Sequence, residues 1–415
     1  MELTPCQSRA LELLQSQQNV FLTGEAGTGK SFLIHRYLLR YSPKATLLAS
    51  TGAAAVLIGG RTFHSFFALG ILEGGKERTI ENAIKNGKLL KRLRECEEII
   101  IDEISMLPGH VLDTAEEIAR IAREDDSPWG GIRMVAVGDF AQLPPIVKGQ
   151  QQRDWAFCHS VWDKSNFQSV CLQTPVRFVD REFYEVLNNI RLGQFNPKVQ
   201  ECLQSRMSLE KPKDVTHLYP WRNKVQAFNA DRLEEIDEPL EQIKSIYSGK
   251  ARAVENLKRQ APIPEVLELK EGAYVMLQQN DPRGRWVNGS CGWVQDIGTE
   301  KLTIELVNGK TIRVMKAAFT MVDADGMVLA EVVNFPVQLA YATTIHKSQG
   351  QTFDRAVMHL RGLWEPGQAY VALSRLRSLD GLFLLDWSPQ SFRVDPRVSQ
   401  FYQGFQELRP PSLDL

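Results

Sequence analysis

A chain of 415 residues has room for roughly two to four compact units, each large enough to bury its own core. Hydrophobic residues at 43% and charged residues at 24% exclude the disordered and fibrous classes, and a net charge of -1 argues against coating nucleic acid through bulk charge while leaving room for a localised channel. The six cysteines (Cys6, Cys96, Cys158, Cys171, Cys202 and Cys291) contain no C-x-x-C pair, which speaks against a zinc site or disulfide framework and predicts reduced, mostly buried thiols.

The opening stretch, Met1 to Leu14, lacks the basic flank and apolar centre of a secretory signal, and no apolar run reaches membrane-spanning length. Thr4 and Pro5 start a helix as cap and first-turn proline, with Ala10, Leu11, Leu13 and Leu14 as its apolar side. Asn19 to Thr23 then reads as a strand, Gly24 to Ser31 as a glycine-rich loop, and Phe32 to Arg40 as a helix. Further strands at Ala45 to Ala49, Glu98 to Ile101, Met134 to Val137 and Val170 to Leu172 alternate with helical stretches such as Val111 to Arg123. That alternation predicts an open, mostly parallel α/β sheet over residues 1–174. Within it, residues 65–91 are glycine- and lysine-rich with weak periodicity, which predicts an inserted arm.

A second alternation follows. Phe183, Val186, Leu187 and Ile190 share a helical face, Val215 to Tyr219 is a strand, and Val225 to Leu233 a helix. The pattern changes to short strands at Tyr274 to Gln278, Gly292 to Asp296, Leu302 to Val307 and Thr311 to Val314, with Asn308-Gly309 as a hairpin signal. The expectation is a small β-barrel over 241–329, inserted in a second lobe made of 175–240 and 330–390. The α/β pattern resumes at Val337 to Tyr341 and ends near Asp386, leaving 391–415 as a peripheral tail.

Gly24-Glu25-Ala26-Gly27-Thr28-Gly29-Lys30-Ser31 fits G-x-x-x-x-G-K-[ST] between a strand and a helix. Backbone N–H groups and the helix N-terminus of such a loop cradle phosphates, Lys30 reaches the outer ones, and Ser31 holds Mg²⁺. ATP and Mg²⁺ are therefore the expected cofactors, and two RecA-like P-loop lobes the expected architecture. Ile99 to Ile101 deliver Asp102 and Glu103 at a strand's C-terminal end, where Asp102 suits the Mg²⁺ shell and Glu103 the polarising of an attacking water. Acidic residues after strands also cap helices, so their position after a phosphate loop carries the reading. Gln142, in Gly138-Asp139-Phe140-Ala141-Gln142-Leu143-Pro144-Pro145, suits a sensor of the γ-phosphate.

Arg177 and Arg375 lie in the second half, where guanidinium groups spanning a cleft would make hydrolysis depend on lobe closure. Most arginines are only surface ion-pair residues, so this assignment leans on the phosphate loop. Thr344, His346 and Lys347, with Thr51, Gly52, Thr62 and His64 from the first lobe, offer donors for the phosphates and sugars of a single strand. Ordinary helix capping accounts for the threonines equally well.

Taken together, these segments resemble the PIF-type (petite integration frequency) DNA helicases of superfamily one, relatives of the RecD helicases. The matching stretches are Leu3-Thr4 with Gln7, Gly24 to Ser31, Thr51 to Ala54, Gly60 to Phe66, Asp102 to Met106, Gly138 to Pro145, Asp180 to Gly193, Asn288 to Ser290, Gln338 to Gly350 and Ala369 to Arg375. The resemblance implies Gln7 as adenine reader, Arg177 and Arg375 as phosphate contacts, Gly350 among the nucleotide contacts, a wedge after His64, and 5′-to-3′ movement on single-stranded DNA. It also implies unwinding of duplex or structured DNA, including quadruplexes, in repair, recombination, replication or telomere maintenance, by a cytoplasmic, nucleoid-associated chain of near-minimal length that is a monomer when free. Val176-Arg177-Phe178 departs from the family's Phe-Arg-Gln and leaves the role of the residue after Arg177 open. The residues alone leave three other classes: a translocase without strand separation, a nucleotide-gated DNA-binding module, and an RNA-directed motor.

Overall fold

The computed structural model describes residues 2–407 apart from 59, 71–74, 146–151, 179, 208–209, 211 and 213. Six strands, β1 (Val20–Gly24), β2 (Thr46–Ala49), β3 (Arg61–Thr62), β4 (Glu98–Asp102), β5 (Arg133–Val137) and β6 (Gln168–Leu172), form one parallel sheet in the order β3-β2-β4-β5-β1-β6. Successive side chains of a strand face opposite ways, so each central strand feeds two cores. Phe21, Ile99, Ile101, Met134 and Ala136 pack under the helix Gly109–Arg123, while Leu22, Ile100, Val135 and Val137 pack under the helices Pro5–Leu14 and Lys30–Arg40. Burial on both faces explains why these strands read as continuous apolar runs.

The arm expected over 65–91 is packed instead of projecting. Residues 71–74 lie outside the described residues, but beyond them the helices Gly75–Ile84 and Gly87–Glu95 bury Ile80 and Ala83, and Leu89 and Leu93, in the first lobe's core. Spacings of three and four residues put each pair on one helical face, a signal hidden by the surrounding lysines and glycines. Phe63, Phe66 and Phe67 are buried beside them.

After β7 (Thr216–Tyr219) the chain enters an antiparallel region: β8 (Glu241–Lys244), β9 (Ile246–Gly249), β10 (Val266–Leu269), β11 (Tyr274–Leu277), β12 (Cys291–Ile297), β13 (Lys301–Leu306), β14 (Thr311–Met315), β15 (Ala317–Val322), β16 (Val328–Asn334) and β17 (Val337–Leu339). These strands make a five-stranded sheet ordered β14-β13-β12-β11-β17, a three-stranded sheet β15-β16-β9 and the pair β10-β8. The five-stranded ladder has two open ends, so its hydrogen bonding does not close into the expected barrel. Because β17 pairs with β11, Val337–Leu339 belongs to this region, which therefore runs past residue 329.

The parallel pattern resumes five residues later than expected, at β18 (Ala342–Thr344), followed by β19 (Ala356–His359) and β20 (Leu382–Asp386); the order is β18-β7-β19-β20. The helix Gln368–Leu373 is buried along its whole length against this sheet. The tail is not peripheral either. Its helix Pro396–Glu407 returns to the first lobe, where Val398 and Tyr402 are buried and Phe401 and Phe405 lie against Phe21. Residues 408–415 of the expected tail lie outside the described residues. All six cysteines are free, and Cys96 alone is buried, against the expectation for most of them. Among the described residues no helix is long and apolar enough to cross a membrane, and no cluster of side chains has a metal-binding arrangement of His, Cys, Asp and Glu.

Candidate nucleotide site and strand face

The loop Gly24 to Ser31 leaves the C-terminal end of β1, and Lys30 opens the helix Lys30–Arg40. Two glycines are required by close approach as well as by backbone conformation. A Cβ at Gly27 (φ +76°) would sit 2.6 Å from the Arg177 side chain, and one at Gly29 (φ +88°) 2.6 Å from Gln7 Nε2. Lys30 Nζ donates to the carbonyls of Gly24 (2.8 Å) and Glu25 (3.1 Å). Burial lowers its pKa, against the pull of the Asp139 and Glu103 carboxylates. Gln7, only 2% exposed, closes a capping box with Thr4 and donates from Nε2 to the Thr28 carbonyl (2.9 Å), so it is seated directly on the loop. Thr28 is buried, its hydroxyl donating to the Glu25 carbonyl, and Ser31 is exposed in the first helical turn.

Asp102 ends β4, and the following Glu103 N–H donates to its Oδ1 (3.0 Å). Glu103 adopts φ 53°, ψ 49°, a left-handed conformation that costs a non-glycine residue on the order of 1–3 kcal/mol and concentrates at functional sites. Burial and the Asp102 carboxylate push Glu103 up to about 7, against Lys30 and Arg375, and burial also raises Asp102. Hard oxygens from Asp102 and the Ser31 hydroxyl fit Mg²⁺, and two acids crowded in a buried corner are a setting that a divalent cation would relieve. Gln142, from the loop after β5, is buried, and its carbonyl abuts the second lobe: a Cβ on Gly367 would lie 2.3 Å from it.

Both arginines converge on this corner. Arg177 N–H donates to the Gly27 carbonyl (3.1 Å) and its Nη1 to the Ser374 carbonyl (2.9 Å), so one residue grips the phosphate loop and the second lobe at once. Arg375 is 2% exposed, with Nε donating to the Val371 carbonyl and Nη2 to the Ser374 hydroxyl. Burial and the neighbouring Arg177 charge press Arg375 down to about 9, while Glu103 pulls the other way; burial presses Arg177 down to about 10. Two cations and two acids thus share one enclosed space with Lys30, the environment in which a fixed charge acts strongly on a phosphoryl group.

Four further residues were given no individual role from the sequence. Tyr370, inside Tyr370 to Arg375, accepts a hydrogen bond at its hydroxyl from the Ala26 N–H (2.9 Å), tying the second lobe to the phosphate loop. Asp139 is fully buried between Arg191 (Nη2 3.0 Å, Nε 3.1 Å) and Tyr402, whose hydroxyl donates to Oδ1 (3.0 Å) and accepts from the Phe140 N–H. The Arg191 guanidinium also lies 4.4 Å from the centre of the Tyr402 ring. Burial opposes both charges, yet each partner outweighs it: Asp139 stays below the usual carboxylate range and Arg191 is held above its own. The signal for Tyr402 was available: Val398, Phe401, Tyr402 and Phe405 have the i, i+3, i+4, i+7 spacing of a buried helical face after Pro396.

The predicted strand contacts are arranged differently. Thr51 accepts from the Ala54 N–H and Thr62 from the Ser65 N–H as helix caps, and Thr344 accepts from the Lys347 N–H in the turn after β18, so all three hydroxyls serve the local backbone. Gly52 is covered by the Gln260 side chain, and His64 is half-buried with its pKa lowered by burial and by His110. His346 and Lys347 are exposed beyond β18. Gly350 takes a left-handed φ of +80° in the turn after β18, where a Cβ would meet nothing within 4 Å.

A phosphate loop on one parallel sheet, hydrogen-bonded to Arg177 and Tyr370 and faced by Arg375 from the side of a second parallel sheet, defines a two-lobed P-loop ATPase. The chain belongs to the PIF1-like helicase family, whose profile matches residues 6–201. It is 52% identical over 410 residues to the ATP-dependent DNA helicase Pif1 of Bdellovibrio bacteriovorus, covering 98% of this chain and 93% of that one. It is 36% identical to human ATP-dependent DNA helicase PIF1 across its whole length, which spans 65% of the human chain. Among solved structures, Bacteroides sp Pif1 in complex with ADP-AlF4 matches with a TM-score of 0.87 at 30% identity, and Bacteroides Pif1 bound to ssDNA with 0.67 at 29%, each over 98% of both chains.

Proposed function

We propose that this chain is an ATP-dependent DNA helicase that seats Mg·ATP between its lobes and moves 5′-to-3′ along single-stranded DNA, separating duplex or structured DNA ahead. The reading divides it into a first lobe of residues 1–174 joined by the returning helix 396–407, a second lobe of 175–240 and 342–390, and an antiparallel insertion of 241–339. The carrying observation is the pair of hydrogen bonds across the cleft, from Arg177 N–H to the Gly27 carbonyl and from Ala26 N–H to the Tyr370 hydroxyl, which makes the phosphate loop part of the lobe interface. Mg²⁺, held by Ser31 and Asp102, would neutralise charge on the phosphates. Lys30 holds the outer phosphates, Glu103 takes up a proton from the attacking water, and Arg375 with Arg177 meets the charge that develops on the transferring group. Loss of that charge on product release weakens the cross-lobe grip and opens the cleft, so each turnover changes the spacing of the two strand-holding surfaces. A monomer in the cytoplasm, working at the nucleoid, suffices for this cycle.

The test is unwinding of forked duplexes carrying either a 5′ or a 3′ single-stranded tail. Native protein should open the 5′-tailed substrate, and Lys30→Ala and Glu103→Gln should both abolish opening, with Glu103→Gln still binding ATP. DNA-stimulated hydrolysis that survives both substitutions would remove the site, and preference for the 3′ tail would reverse the direction.

A further inference from the structure

Of the chain's eight tryptophans, two are exposed, Trp221 at 45% and Trp364 at 40%, and they are stacked on each other. Their ring centres are 5.5 Å apart with planes 20° from parallel, and the His346 ring lies 6.4 Å from Trp364 at 27°. The three rings come from three places in the sequence. Trp221 follows β7, His346 follows β18 and Trp364 follows β19, so all stand at the C-terminal ends of neighbouring parallel strands, the edge where open α/β sheets take ligands.

Local structure holds the rings in place. Gly362 (φ +77°) lets the Trp221 indole come close to the backbone, since a Cβ there would lie 3.1 Å from the ring. The Trp364 backbone N–H donates to Gln368 Oε1 (3.3 Å) and its indole N–H to Glu365 Oε1 (3.1 Å); Glu365 in turn pairs with Arg153 of the first lobe (2.5 Å). A pair of indoles that only shielded each other would need neither this bracing nor a third aromatic neighbour. Arg222 and Lys347, next in sequence to Trp221 and His346, are both exposed, which places cations beside an aromatic surface.

We propose that Trp221, Trp364 and His346 form a stacking platform for the unpaired bases of single-stranded DNA, with Arg222 and Lys347 meeting the adjacent phosphates. Stacking on aromatic faces is tolerant of sequence because every base has a π-face, which suits a motor that must pass over any sequence. The platform is also wired to the nucleotide: Gly367, three residues after Trp364, is pressed against the Gln142 carbonyl, so movement of the Gln142 loop is passed to the rings. This inference rests on the proposed single-stranded DNA track.

The experiment compares binding of a labelled oligothymidine with an abasic oligonucleotide of the same length, which keeps the sugar-phosphate chain and lacks the bases. Native protein should prefer the thymidine strand. Trp221→Ala and Trp364→Ala should each weaken thymidine binding roughly 5- to 100-fold and leave abasic binding unchanged, whereas Arg222→Ala should weaken both. Trp221→Phe with Trp364→Phe, which keeps stacking surfaces, should retain most of the affinity but lose the quenching of tryptophan emission by the thymidine strand. Equal loss on both oligonucleotides, or no loss on either, would overturn the platform; a native protein that binds neither would instead bring down the single-stranded track itself.

Discussion

The nucleotide pocket and the proposed strand face draw on similar residue types and treat them in opposite ways. In the pocket, charged groups are enclosed and face one another: Lys30, Asp102, Glu103, Arg177 and Arg375 sit in one space, and burial shifts every one of them. On the strand face the hydroxyls of Thr51, Thr62 and Thr344 are occupied by backbone N–H groups, and the free surface is aromatic and cationic. A pocket that must stabilise developing charge benefits from low dielectric and fixed dipoles, whereas a face that must grip and release a moving strand benefits from weaker, exposed contacts. Substitutions should therefore be felt as lost turnover in the first region and as modest changes of stability or affinity in the second.

The sharpest challenge to that contrast is Arg375→Ala. It should lower DNA-stimulated ATP turnover by about 1,000-fold or more while nucleotide binding persists, as for a charge delivered across a cleft; steady-state hydrolysis beside a nucleotide titration measures both. Turnover that stays within an order of magnitude of native would mean that the enclosed charge is structural.

Asp139→Asn comes next, because it strands the buried Arg191 guanidinium. Loss of one partner of a buried pair costs about 3–5 kcal/mol, which denaturant unfolding reports directly. Tyr402→Phe should cost about 1–2 kcal/mol by leaving the buried Phe140 N–H without its acceptor. If Asp139→Asn were instead neutral, the network joining the returning helix to the loop after β5 would carry no stability.

The smallest effect belongs to the strand face. Thr51→Ala should lose about 1 kcal/mol of stability through the missing cap, and Thr51→Ser should recover it. DNA affinity that collapses in the alanine variant while stability holds would show that the hydroxyl serves the strand and not the helix.

Much of this arrangement was legible from residue order alone, and the limits of legibility fall at identifiable residues. The loop Gly24 to Ser31, the carboxylates after β4 and five of the six parallel strands are local patterns: glycines at left-handed positions, apolar runs of strand length, a lysine at a helix start; the two-residue β3 carries no such run. The arm over 65–91 misled because lysines on the outer faces of two helices masked Ile80, Ala83, Leu89 and Leu93 on the inner ones. The segment Val337 to Tyr341 looked like one strand, yet Val337–Leu339 pairs with β11 and Ala342–Thr344 with β7, a choice made by partners some 60 and 120 residues away.

Backbone conformation and short-range hydrogen bonding depend on neighbours in the chain, so the phosphate loop, its capping box and its strand-helix setting follow from composition and spacing. Burial depends on what arrives from elsewhere. Arg177 became a bridge only when Ser374 came within 2.9 Å, Tyr402 became a partner of Asp139 only when the last helix folded back, and Trp221 met Trp364 only across two strand ends. Those encounters close long loops, and no local preference encodes them.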